Sequence, residues 1–217
     1  MTPLHLVVLS LIPGFLLGGI PSGLWIGRSR GVDLRTVGSR NIGATNAYRI
    51  LGARWGIAVF VLDALKGASA AWLAGWIAAW LRIDDPHARL YAALAGGIAA
   101  IAGHVFSPWL GFRGGRGVAT SLGVFLAIVP VPSLLAFGLW IVLVALSRRV
   151  SVGSIGAAMA YPVLVLLLLR GAPDRMLLVA VSTLVAILVI VRHRANIERL
   201  LAGTEPPILG RKAGERP

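Results

Sequence analysis

Between Leu4 and Val191 the sequence alternates long apolar stretches with short polar ones, a pattern that a water-soluble core cannot absorb. The apolar stretches run from about Leu4 to Ile26, Trp55 to Leu81, Leu90 to Phe106, Val118 to the Pro130-Val-Pro132 break, Ser133 to Leu146, Ile155 to Leu169 and Met176 to Val191. A bilayer helix needs ~20 apolar residues, and in lipid each segment must satisfy its own backbone polar groups. The expected fold is therefore all-α: a polytopic membrane protein with seven transmembrane helices in a single domain over residues 1–217. Composition agrees, with 57% hydrophobic residues, only 13% charged and a mean hydropathy of +0.84. Pro13 and Pro21 should kink the first span, with neighbouring helices taking up the carbonyls they free. The fourth and fifth spans are short, as tilted neighbours or a hairpin that does not fully cross would be. No Lys or Arg precedes Arg28, so the first span is read as a retained helix and not a cleaved leader. Residues 206–217 are expected to be a mobile tail.

The basic residues set the orientation. The loops after spans 1, 3, 5 and 7 hold 6, 2, 2 and 6 Lys/Arg, and those after spans 2, 4 and 6 hold 2, 0 and 2, so 16 face 4 with Lys66 left inside span 2. Positive loops stay in the cytoplasm. This places the N-terminus outside, the C-terminus inside, and every glycine- or serine-rich loop on the cytoplasmic face. The net charge of +13 would suggest nucleic acid in a soluble chain, but here the cations lie in short runs between spans with few aromatics among them. Topology, anionic lipid headgroups and phosphorylated substrates account for them without nucleic acid. With no cysteine, there is no disulfide, thiolate metal site or cysteine nucleophile. His104 and His193 have no local carboxylate at ligand spacing, so no metal is expected.

Three loops carry the chemistry. Gly38-Ser-Arg-Asn-Ile-Gly-Ala-Thr-Asn-Ala-Tyr-Arg49 combines tight-turning Gly38 and Gly43, short polar Ser39, Asn41, Thr45 and Asn46, and the cations Arg40 and Arg49. These are the parts of a phosphate cradle. The stretch is not a Walker A loop, because Ala44 stands in the lysine position and no strand precedes it. In the second loop, Gly111, Gly114, Gly115 and Gly117 interleave with Arg113 and Arg116 and run into the next helix, whose N-terminal N–H groups attract anions. The third, Ser147 to Ser154, offers the hydroxyls of Ser151 and Ser154, for which a helix N-cap is the simpler role. His193 and Asn196 close span 7, three residues apart on one helix face. His193 has the chemistry of a general base or phosphate ligand; the plain alternative is an interfacial histidine among headgroups. Asp63 and Lys66 lie deep in span 2 and read as an ion pair that fixes helix packing.

Taken together, these segments resemble one family: the bacterial integral-membrane acyl-phosphate:glycerol-3-phosphate acyltransferases, PlsY. The first motif is similar to residues Gly38–Asn46 with Arg49. The second is similar to Gly103–Thr120 and the third to Arg192–Glu205. Leu62–Gly67 and Ser151–Ser154 match in order. The resemblance implies transfer of a fatty acyl group from acyl phosphate to the 1-hydroxyl of glycerol 3-phosphate, starting phospholipid synthesis, in the bacterial cytoplasmic membrane with the active site on the cytoplasmic face. It implies no cofactor and no obligate protein partner, only the two substrates and membrane lipids. His193, Asn196, Ser39 and Arg49 are the catalytic residues it carries over, with Arg113 and Arg116 as the basic positions. The chain departs from the family in having Arg40 where glycine is usual, and Arg113 and Arg116 where lysine is usual. The alternative from another class is a small transporter or flippase for an organophosphate or anionic lipid. Such a protein should carry polar groups through the membrane and on the outer face, whereas here they gather on one side.

Overall fold

The computed structural model describes residues 3–83 and 85–208, and all regular structure among them is helical. The expected mobile tail therefore lies largely outside the described residues. Six helical stretches are long and apolar enough to cross a membrane: Leu4–Ser29, Ala53–Trp80, Ala88–Leu110, Pro130–Ser147, Val150–Leu168 and Arg175–Arg192. Val118–Ile128 is apolar but has only 11 residues, a rise of about 16 Å at 1.5 Å each.

The chain forms two compact units, residues 1–130 and 131–217. In the first, α1 (Pro3–Gly19) runs through Pro13 without ending, and the break comes at Ile20–Pro21 before α2 (Ser22–Ser29). At that break Ser107 Oγ donates to the Gly19 carbonyl at 2.6 Å and Lys66 Nζ to the Ile20 carbonyl at 2.8 Å. α1 packs on α5 (Ala88–Val105), which packs on α4 (Ala53–Trp80). The approach is close because small residues face backbone. A Cβ on Gly14 would meet Gly96, and one on Gly103 would meet the Phe15 carbonyl. Arg30 and Arg54 both lie over the Trp55 ring, 4.9 and 5.2 Å from its centroid, where α2 ends and α4 begins. Guanidinium and indole both suit a membrane–water boundary.

Two boundaries differ from the sequence reading. Residues 44–49 are not loop: α3 (Ala44–Leu51) occupies the second half of the first basic segment, between Gly43 as N-cap and Gly52 at φ 92°. Gly43, one of the two glycines that suggested one long loop, is the N-cap of a short helix that Gly52 ends. The break placed at Pro130–Pro132 is the single residue Val129, between α6 (Val118–Ile128) and α7 (Pro130–Ser147). Pro130 and Pro132 sit in the first turn of α7, where the missing N–H groups would have had no helical partner.

In the second unit, α7 meets α8 (Val150–Leu168) through Trp140 Nε1 donating to Ser154 Oγ at 3.3 Å and a buried Ser133–Tyr161 hydroxyl pair at 3.0 Å. α8 packs on α9 (Arg175–Arg192), and α10 (Arg194–Leu201) follows after a one-residue break at His193.

Candidate functional site

The first cluster is built by Asn46. It is 1% exposed on α3, and its side chain is committed to the loop before it. Its Oδ1 accepts the Ser39 N–H at 2.9 Å, and its Nδ2 donates to the Leu34 and Val37 carbonyls at 3.1 Å each. Those bonds curl residues 34–39 over the start of α3. Gly38 lies so close to Asn46 that a Cβ there would collide with the amide oxygen. Asn41 makes a second local bond, its Oδ1 accepting the Gly43 N–H at 2.8 Å. Ser39 and Arg40 are exposed, and Thr45 and Arg49 are half-buried on α3. Arg35 is occupied by Asp33, with Nη2 to Oδ2 at 2.6 Å. Hydrogen bonding to that guanidinium draws the Asp33 carboxyl down to about 2.

Arg40 sits at φ 56°, in the left-handed region. That conformation costs a non-glycine residue about 1–2 kcal/mol, and glycine there gives back about 0.5–1 kcal/mol through the entropy of the unfolded chain. Arg40→Gly should therefore raise stability by up to about 1 kcal/mol, read as a higher Tm, whereas Arg40→Ala should give no such gain.

In the second segment the expected loop-to-helix geometry is present. Residues 107–117 lead through a single 3-10 turn (Pro108–Leu110) into α6 at Val118, and Gly117 directly precedes the helix. Gly114 and Gly115 donate to the Val105 and His104 carbonyls at 3.0 Å each, which hangs the turn on the end of α5. Arg113 is exposed and Arg116 half-buried on either side of it.

The third cluster lies in the second unit, and its centre is a residue that the sequence pattern alone does not single out. Glu205, 4% exposed, accepts Ser151 Oγ at 2.8 Å and Asn196 Nδ2 at 2.7 Å on Oε1, and Arg199 Nε at 2.7 Å on Oε2. Its backbone carbonyl accepts Arg149 Nε at 3.2 Å. The Ser151 hydroxyl is thus a partner of Glu205, not a helix cap. The N-cap of α8 is Arg149, which makes no side-chain cap, and Ser151 and Ser154 both lie within the helix. His193 and Asn196 do not ride one continuous helix. His193 ends α9 and caps α10, its carbonyl accepting the Asn196 N–H at 2.8 Å. Nor is His193 an interfacial side chain among headgroups, for it is 2% exposed. Its Nδ1 donates to the Val189 carbonyl at 2.7 Å, which in the neutral ring puts the lone pair on Nε2. Asn196 Oδ1 is buried without a hydrogen-bond partner among the described residues. With its Nδ2 held by Glu205, Asn196 presents an acceptor to whatever donor arrives.

Burial raises the Glu205 carboxyl, but hydrogen bonds from Asn196, Ser151 and Arg199 outweigh it, and the net effect is a lowered pKa. A depressed carboxylate stabilises the fold fully above its unfolded value of about 4.3 and loses that contribution as pH falls through its folded value. Thermal unfolding followed from pH 7 downward should show a decline beginning below about pH 4.3. Glu205→Gln should be less stable at pH 7 and should lack that part of the decline.

A family profile described as "Glycerol-3-phosphate acyltransferase" matches residues 8–203. A protein of that name from Geobacter sulfurreducens is 47% identical over 191 residues, 88% of this chain and 92% of its own. Another from Synechococcus sp. (strain JA-3-3Ab) is 44% identical over 211 residues, 97% of each chain. Among solved structures, PlsY, an integral membrane glycerol 3-phosphate acyltransferase, superposes in its glycerol 3-phosphate form with a TM-score of 0.78 at 38% identity, covering 94% of both chains. Its lysophosphatidic acid form gives 0.75 at 36% identity with the same coverage.

Proposed function

Because this chain belongs to the glycerol-3-phosphate acyltransferase family of integral-membrane proteins, we propose that it moves a fatty acyl group from acyl phosphate to the 1-hydroxyl of glycerol 3-phosphate, giving 1-acyl-glycerol 3-phosphate and inorganic phosphate. The observation that carries the reading is the buried His193–Asn196–Glu205–Ser151 group, in a chain whose other polar segments are cationic, glycine-rich turns.

Acyl phosphate is a mixed anhydride and already activated. The enzyme's work is then to bring two anions together, offset their repulsion and remove one proton. The oxygen of the 1-hydroxyl attacks the acyl carbonyl carbon, the bond from that carbon to the phosphate oxygen breaks, and the hydroxyl proton passes to His193 Nε2 or to the departing phosphate. No acyl-enzyme forms. Arg49, Arg113 and Arg116 hold substrate phosphates, together with Arg40 and Thr45, while the Asn41 and Asn46 side chains and the Gly114–Gly115 turn, bonded within the protein, shape the two basic segments. Ser39 and Asn196 orient the reacting groups, and Ser151 and Ser154 support them from α8. The site opens to the cytoplasm.

Seven crossings, counting the short α6, put the N-terminus outside, in keeping with the 16-to-4 distribution of cations. Single cysteines in this cysteine-free chain test the orientation. Thr36→Cys should label from the cytoplasmic side and Pro173→Cys from the outer side; the reverse pattern refutes it.

The activity test is phosphate release from palmitoyl phosphate by the purified protein in lipid. Release that requires glycerol 3-phosphate supports the acyltransferase. Release without it indicates a hydrolase. No release, with flux of an organophosphate in sealed vesicles, indicates a transporter.

A further inference from the structure

Beneath the second glycine turn lies a group of ionisable side chains that the proposed reaction does not use. Asp63, Lys66 and His104 are 3%, 7% and 4% exposed. Lys66 Nζ is 2.8 Å from Asp63 Oδ1 and donates to the Ile20 carbonyl at the α1–α2 break. His104 Nδ1 faces the same Asp63 oxygen at 3.7 Å. The other side of His104 carries the loop. Its carbonyl accepts the Gly115 N–H at 3.0 Å, and its imidazole lies so close under Gly115 that a Cβ there would collide with Nε2. A Cβ on Gly114 would likewise meet the His104 carbonyl.

A pair placed only to hold helices together needs no third member, and apolar side chains of similar shape often hold them as well or better. What an apolar pair cannot do is face an imidazole with a charge and fix how the ring stands. Here the ring is wedged between a lysine-anchored carboxylate and a backbone turn. That turn joins Arg113 to Arg116.

We propose that Asp63 and His104 are positioning residues for substrate phosphate. Asp63, anchored by Lys66, orients the His104 ring. The ring seats the Gly114–Gly115 turn, and the turn aims Arg113 and Arg116. The inference rests on the phosphate-binding role given to that loop above. Functional groups need their supports locked to about 0.5 Å, and a ring packed under glycine with no room for a methyl is such a support.

The test is steady-state kinetics and thermal unfolding of His104→Ala, Gly115→Ala, the double variant and Asp63→Asn, in lipid nanodiscs with palmitoyl phosphate and glycerol 3-phosphate. Each single variant should raise KM for a phosphate-bearing substrate about tenfold or more, with a smaller change in kcat. The double variant should recover part of the loss of Gly115→Ala, because removing the ring makes room for the methyl group; such non-additivity marks direct contact. If His104→Ala does not fold, His104→Gln in the same comparison gives the reading. Folded single variants with wild-type KM, or losses that simply add, overturn the positioning role while leaving the acyltransferase intact. A wild-type protein that makes no 1-acyl-glycerol 3-phosphate overturns the underlying function, and the inference with it.

Discussion

His193→Ala is expected to lower kcat by about 10²–10⁴-fold, the range a positioned acid–base group supplies. The ring is 2% exposed and aligned by Val189, so its removal takes away an oriented group and not a mobile one. The fold should survive, because the Val189 carbonyl also accepts the His193 backbone N–H at 3.1 Å and stays satisfied without the side chain. The cavity left by the buried ring lowers Tm, and turnover measured well below the Tm of the variant should still collapse. His193→Gln, whose amide can still hydrogen-bond but cannot take a proton at neutral pH, separates two roles. A loss as deep as that of alanine makes His193 the base. Partial recovery makes it a hydrogen-bond acceptor that positions the hydroxyl and leaves the proton to the departing phosphate. Near-wild-type kcat in both variants would remove His193 from the mechanism.

Glu205→Ala is expected to harm stability and activity together. The change strands Ser151 Oγ, Asn196 Nδ2 and Arg199 Nε, of which the first two are buried. Unpairing a buried charge costs about 3–5 kcal/mol. Because the Arg199 side chain is 37% exposed, its share is screened by solvent and the low end of that range is expected. Activity should fall even at temperatures where the variant is folded, since Asn196 loses the bond that holds its amide. Thermal unfolding beside kcat measured well below Tm checks this. A variant that melts at the wild-type temperature and turns over at the wild-type rate would deny Glu205 its central place.

What the sequence makes legible is what depends on local pattern. Apolar runs locate the crossing helices, because length and hydropathy alone decide whether a segment can sit in lipid. Pro21 marks the break in the first span, and the Asp63–Lys66 pair is readable because its members are three residues apart. The α3 helix is obscured because its eight residues are too few for a periodic signal, and its bounding glycines look like loop. Glu205 is obscured for a different reason. Its partners Ser151 and Asn196 lie 54 and 9 residues away, and nothing at position 205 announces which of 21 cations or many hydroxyls a lone carboxylate will meet. The only local signal is scarcity: 8 acidic residues stand against those 21 cations, so an acid in the basic C-terminal segment has a cation within reach wherever the chain folds back. His104 is hidden likewise, since its contact with Asp63 spans two helices.

The central claim is direct acyl transfer to glycerol 3-phosphate. A single turnover of the purified protein with acyl-labelled palmitoyl phosphate and glycerol 3-phosphate, quenched at intervals, tests it most directly. The predicted result is label passing straight into 1-acyl-glycerol 3-phosphate as phosphate appears, with no label on protein at any time. Label held on a residue such as Ser39 before product forms, or label released only as free palmitate, would contradict it.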